Sequence, residues 1–244
     1  MGDCGERTGV GSAGRARRPG VAWSRPLAGA ALALLLALGP AVATSAWNGE
    51  RLLRSATAAG PRVEQAARQL RELVAGLPGR ELRARLTAVN DHFNATVAFA
   101  DDAIVWGQAD YWASPLETIA RGAGDCEDYA IAKYFSLVAA GVPLSQLRLV
   151  YVRAMLPAGG GLPARSQAHM VLAYYDGVAE DPLILDNLVP QIRRASERPD
   201  LTPVFSFNSE GLWQGAGVQT AGDPMARLSR WREVVRKARQ EGFE

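Results

Sequence analysis

The sequence predicts an α+β fold in a single exported domain, and three observations carry that expectation. Apolar residues recur at three- and four-residue spacing through most of residues 47–140. They alternate one by one after Pro143, and a segment with the plan of an export signal precedes both stretches.

The export segment comes first. Arg15, Arg17, Arg18 and Arg25 precede an apolar run over residues 27–38, which Gly39-Pro40 and the small residues 41–46 follow. Positive, apolar and small-residue regions in that order make a secretory signal peptide. The run falls short of the roughly 20 residues a membrane span needs. The expected organisation is a signal peptide over residues 1–46, cleaved after Ala43 or Ala46, and one domain over residues 47–244. An uncleaved membrane anchor is the alternative. Cys4 leaves with the signal, so Cys126 becomes the only cysteine of the mature chain and no internal disulfide can form.

Within the domain, Val63, Ala66, Ala67, Leu70, Leu73 and Val74 repeat at helical spacing, as do Leu82, Leu86, Val89 and Phe93. Gly76-Leu77-Pro78-Gly79 separates these two expected helices, which should pack as an antiparallel pair. The stretch 101–112 is rich in aromatics, with Trp106, Tyr111 and Trp112 beside Asp101, Asp102 and Gln108. Ser114 with Pro115 and Glu117 forms a capping-box helix start, which the glycines of Arg121-Gly122-Ala123-Gly124 end. Residues 129–140 then read as a helix, stopped by Gly141-Val142-Pro143.

Strands are expected around residues 147–152, 168–175 and 183–187, with a fourth over 204–208. A glycine-rich hairpin loop over residues 157–163 joins the first two, and Asp176-Gly177 and Asp181-Pro182 turn the chain toward the third. A basic helix with Leu228, Trp231, Val234 and Val235 on one side closes the chain over 223–241.

Charge excludes one class of function. The 27 Lys and Arg against 25 Asp and Glu leave a net charge of only +2, so no electrostatic footprint for nucleic acid exists.

Three residues together offer nucleophilic chemistry. Cys126 follows a glycine turn at a helix start, where the dipole and free N–H groups lower a thiol's pKa; on placement alone, a buried inert cysteine is an equal reading. His169 lies within an expected strand and needs a polar partner if buried. Asp186 follows Leu183-Ile184-Leu185 on the next strand, within reach of His169 across an antiparallel pair. Thiol, base and orienting acid are what cysteine catalysis requires. His92, beside Asp91 in an expected helix, reads as a solvated or packed residue. A zinc site is disfavoured because no ligand-spacing pattern is present.

The run from Val105-Trp106-Gly107-Gln108 through Asp125-Cys126-Glu127-Asp128-Tyr129-Ala130, with His169-Met170-Val171-Leu172 and Leu185-Asp186-Asn187-Leu188 in the same order, resembles the bacterial transglutaminase-like cysteine proteinases. The resemblance implies a papain/transglutaminase-like fold, with Cys126 as nucleophile, His169 as general base and Asp186 as orienting carboxylate. It implies a calcium ion held by Asp125 and Glu127, with Asp128 as a further candidate. Oxygen ligands in a tight turn suit Ca²⁺, although acidic residues at a helix start also serve the helix dipole alone. An oxyanion hole is also required; the Cys126 N–H and a side chain in 106–108 are candidate donors, and the sequence assigns neither.

The same resemblance implies a periplasmic endopeptidase. Its substrate would be a large surface adhesin, cut near its N-terminus at a paired-alanine site, releasing the adhesin and dispersing biofilm. Its partner would be an inner-membrane cyclic-di-GMP receptor that inhibits it. An acyltransferase on the same fold and a non-catalytic calcium-binding protein are the competing readings.

Overall fold

The computed structural model describes residues 47–158, 163–177, 181–217 and 220–243. The expected signal peptide, 1–46, and the middle of the glycine-rich loop lie outside the described residues. Helices do come first and an antiparallel sheet follows, as an α+β fold requires.

The N-terminal part holds three helices where the periodicity predicts two. They are α1 (Gly49–Ala58), α2 (Pro61–Ala75) and α3 (Leu82–Thr96). The additional break has a local cause: Gly60 takes φ +107°, a left-handed value open to glycine, and Pro61 starts α2 at its first turn. The expected pairing is corrected accordingly. α2 packs on α1, whereas α3 packs on a later helix, α6 (Cys126–Ala139). The apolar stripes are as read: Val63, Ala67, Leu70 and Val74 are buried on α2, and Leu86, Val89 and Phe93 on α3.

Between α3 and α6 the chain makes a short parallel ribbon of β1 (Ala98–Phe99) and β2 (Ala123–Gly124). The loop between those strands carries α4 (Asp102–Val105) and α5 (Pro115–Arg121). Ser114 and Glu117 complete the expected capping box, and Gly122 ends α5 at φ +64°. α6 starts three residues before the expected 129 and is buried from Asp128 to Val138 on every side, so it forms the centre of the core.

The sheet has seven antiparallel strands: β3 (Leu147–Leu156), β4 (Arg165–Tyr174), β5 (Leu183–Leu185), β6 (Arg193–Arg194), β7 (Leu201–Phe207), β8 (Leu212–Gln214) and β9 (Thr220–Gly222), in the order β6-β5-β4-β3-β7-β8-β9. β3 and β4 pair over ten residues each. β6, β8 and β9 are too short to show an alternation in sequence. Leu147, Leu149, Met170 and Leu172 face α6, while Val150, Val152, Val171 and Ala173 form a smaller cluster on the other face.

The predicted C-terminal helix is two: α7 (Pro224–Arg227), capped by Asp223, and α8 (Ser229–Glu241), with Leu228 in an extended conformation between them. α8 inserts Trp231 among Tyr134, Phe135 and Phe207. Its last residue, Glu241, accepts hydrogen bonds from the Ser114 hydroxyl and, at 3.0 Å, from the Leu116 N–H, tying the chain's end to the start of α5. No helix among the described residues is long and apolar enough to cross a membrane.

Trp231 is fully buried, so Trp231→Ala should cost about 4 kcal/mol of unfolding free energy, measured by urea denaturation.

Candidate active site

The Gly-Asp-Cys-Glu-Asp run folds as it does because of Gly124. A Cβ there would sit 2.5 Å from Asp128 Oδ2, so only glycine lets the turn close on the Asp128 carboxylate. Asp125 then occupies the N-cap and Cys126 the first helical position of α6, leaving backbone N–H groups without helical partners around the thiol.

The thiol donates to Glu127 Oε2 at 2.9 Å. Burial first, then Glu127 and Asp125, push its pKa well up, while the Met170 N–H, which faces the sulfur, works the other way. The expected lowering by the helix start is therefore outweighed by burial and by like charge. His169 lies on β4 immediately before Met170 and lines the same groove as Cys126, a cavity of about 980 Å³.

His169 and Asp186 meet as the strand pairing predicts: His169 Nε2 lies 2.8 Å from Asp186 Oδ1, both side chains buried. Asp186 sits one residue past the end of β5, not within a strand reaching 187. Its second oxygen accepts from Arg198 Nη2 at 2.8 Å, and the Leu188 N–H adds a bond of 3.0 Å to the first. Burial would raise the Asp186 pKa, but His169, Leu188 and Arg198 together hold it at about 2. The backbone carbonyl of Asp186 is held as well, by Lys133 Nζ at 3.1 Å and Asn94 Nδ2 at 2.9 Å. Lys133 is wholly buried on α6, bonded also to Asn90 Oδ1 at 2.9 Å, and burial lowers its pKa to about 7.

A second arrangement adjoins the thiol. Asp102, Asp125 and Asp128 each bring a carboxylate oxygen within 4.8 Å of the others'. Asp128 Oδ1 accepts from the Ala113 N–H and Asp102 Oδ2 from the Tyr111 N–H. Asp102 Oδ1, Asp125 Oδ1 and Asp128 Oδ2 are buried without a hydrogen-bond partner. Burial, with repulsion between neighbouring carboxylates, raises Asp102 to about 6, Asp125 to about 9 and Asp128 to about 7. Three converging carboxylates, each with a buried oxygen that lacks a donor, fit a hard dication, and oxygen-only ligation matches calcium.

The structure thus brings Cys126, His169 and Asp186 to one place, and Asp125 and Asp128 to another beside it. Glu127 groups with Asp125 and Cys126, on the thiol's side. Asp102 is the oxygen donor that sequence reading missed; the paired Asp101-Asp102 ahead of the aromatic stretch was its one signal. Arg198 and Lys133 were missed too. Residues 106–108 do not line the groove among the described residues. Trp106 lies between Tyr111 and the Arg121 guanidinium. His92 packs edge-on against Phe93, away from the groove.

Against known proteins, the model of the bacterial transglutaminase-like cysteine proteinases matches residues 66–200, more than half of the chain. The chain belongs to this family. Three solved structures of Legionella pneumophila LapG are similar to it, each over 78% of this chain. One is 37% identical, with a TM-score of 0.66 over 97% of its own length. An EGTA-treated form is 38% identical (0.68, 97%), and a calcium-bound form 37% identical (0.67, 98%). No curated protein matches. The family resemblance read from the Cys126, His169 and Asp186 motifs and the transglutaminase-like fold are borne out, and membership makes the chain a cysteine peptidase by family.

Removing Arg198 would leave the buried Asp186 charge short of a partner. Arg198→Met should cost about 3 kcal/mol by urea denaturation at neutral pH. The sign of the pH effect follows from the depressed carboxylate. Asp186 contributes stability that is complete above its ordinary value of 3.8 and lost as pH falls through about 2. Acid unfolding of Arg198→Met, followed by circular dichroism, should therefore begin at higher pH than in the parent.

Proposed function

We propose that this chain is a calcium-dependent cysteine endopeptidase of the periplasm that cuts the N-terminal region of a large surface adhesin and so promotes biofilm dispersal. An inner-membrane cyclic-di-GMP receptor would hold it inactive, and residues 1–46 would direct its export. The observation that carries the reading is the buried His169–Asp186 pair, 2.8 Å apart, opening on the groove that holds Cys126 at a helix start.

The chemistry follows from that geometry. Asp186 engages His169 Nε2, which leaves Nδ1 to take the proton of the Cys126 thiol. The thiolate attacks the scissile carbonyl carbon, and the oxyanion forms near the Cys126 backbone N–H. Collapse breaks the C–N bond, and His169 returns its proton to the departing amine. A thioester remains. Water, deprotonated by His169, adds to that thioester and releases the carboxylic acid and the thiol.

Asp186 keeps the imidazole oriented throughout, and Arg198 keeps Asp186 ionised. Asp102, Asp125 and Asp128 would hold the calcium, which when bound supplies positive charge against the carboxylates beside the thiol. Glu127 accepts the thiol's hydrogen bond at 2.9 Å.

Cleavage of a purified adhesin N-terminal fragment tests the reading. The parent should cut it in calcium and stop in EGTA, and Cys126→Ala should give no product on a gel. Full activity of Cys126→Ala would overturn the assignment. Asp102→Asn should need about tenfold more calcium for half its maximal rate, the loss of about 1.4 kcal/mol of ion binding. Saturating calcium, at about a hundred times its dissociation constant, should stabilise the parent by about 2.7 kcal/mol. That rise in melting temperature should shrink in Asp102→Asn.

A further inference from the structure

β4 has an open edge that ends at the thiol. The Tyr175 N–H bonds to the Gln146 carbonyl at 2.8 Å, just before Leu147 pairs with Tyr174. In an antiparallel ladder the backbone groups of successive residues turn to opposite sides. The odd-numbered residues of β4 therefore bond to β3, and Tyr174, Leu172, Met170, Ala168 and Ser166 turn their N–H and C=O groups the other way. β5 covers that other side only from Leu172 to Tyr174. Beyond Leu185 the chain turns inward with Asp186, and among the described residues no strand pairs with the rest of the edge.

What the edge meets next decides its use. The Met170 N–H faces the Cys126 sulfur. One repeat further along, at roughly 6.8 Å, Ala168 presents an N–H and C=O without a partner among the described residues, and Ser166 repeats the pair. Both residues are exposed, and Ala168 and Arg165 line the groove that holds the thiol. Native edges are usually blocked by lysine, proline or a bulge. Ser166 and Ala168 are small and neutral, and β4 pairs with β3 without a register shift. Phe99 and Leu188 line the same groove with large exposed apolar surface, suited to side chains that alternate along an extended chain.

We propose that the substrate polypeptide adds to this edge as an extended strand, its backbone hydrogen-bonded to Ala168 and then Ser166, so that the next peptide unit lies against Cys126. The inference deepens the endopeptidase reading and rests on it. It implies that the cleavage region must be extended and free of its own strand partners, and that recognition next to the cut is carried by backbone as much as by side chains.

The test uses Cys126→Ala in calcium and a soluble peptide spanning a paired-alanine sequence, with single N-methyl groups placed at successive residues. Binding is read by fluorescence anisotropy. N-methylation should weaken binding about tenfold at every second residue on one side of the alanine pair and little between, as the loss of single hydrogen bonds predicts. Ala168→Pro on the same background removes only an outward N–H, a change that edge strands tolerate, and should weaken the parent peptide by about tenfold. Methyl effects without a two-residue period, or Ala168→Pro binding like its background, would overturn the proposal. The methyl series alone decides it if Ala168→Pro does not fold. The unmethylated peptide with the parent enzyme separates the two readings. Periodic binding without cleavage sinks the peptidase and keeps the edge, whereas cleavage without periodicity does the reverse.

Discussion

The buried Asp186 carboxylate is the constraint on which the rest of the site depends. A charge with no exposed surface must be matched on each side or the fold expels it. Three groups supply that match: His169 from β4, Arg198 from the segment before β7, and the Leu188 N–H. The backbone of the same residue is pinned by Asn94 of α3 and Lys133 of α6. Five contacts from separate parts of the chain converge on one residue. The imidazole can thus be held in one orientation although the strand next to β4, β5, is only three residues long.

The acidic cluster works by the opposite logic. Asp102, Asp125 and Asp128 are brought together by a β1–β2 ribbon of two residue pairs and by a glycine that admits Asp128. The Tyr111 and Ala113 N–H groups reach only two of their oxygens, so burial and mutual repulsion raise all three pKa values, and among the described residues three oxygens stay unmatched. One half of the site is matched by its own side chains, and the other leaves buried carboxylate oxygens without a donor. The thiol lies between the two and shares a hydrogen bond with Glu127.

How much of this could be read from the chain divides by physical cause. Cys126, His169 and Asp186 were legible because a thiol, an imidazole and a carboxylate in that order carry chemistry in their identities, and because strand alternation put the last two side by side. Asp102 was not, since its approach to Asp125 depends on a parallel pairing too short to leave a periodic trace. Arg198 and Lys133 were missed for a different reason: basic side chains read as solvated surface, and only the buried charge they serve shows otherwise. The helices were visible as apolar stripes, but their partners were not. Spacing tells which face of α3 is apolar and says nothing of whether α2 or α6 will cover it.

The closure of the domain on itself has a practical side. Trp47 and Phe243 form a bridge, their rings 4.7 Å apart, and Phe243 lies against Phe135 of the helix that begins with Cys126. The first and last described stretches are therefore parts of one seam, and fraying at either would loosen the other and uncover the back of that central helix. A purification handle or reporter joined directly after residue 243 would have to leave from this seam, so a flexible spacer is the sounder engineering choice. The same proximity means that residues 243 and 47 could be joined by a short linker, opening a route to circularly permuted forms of the domain.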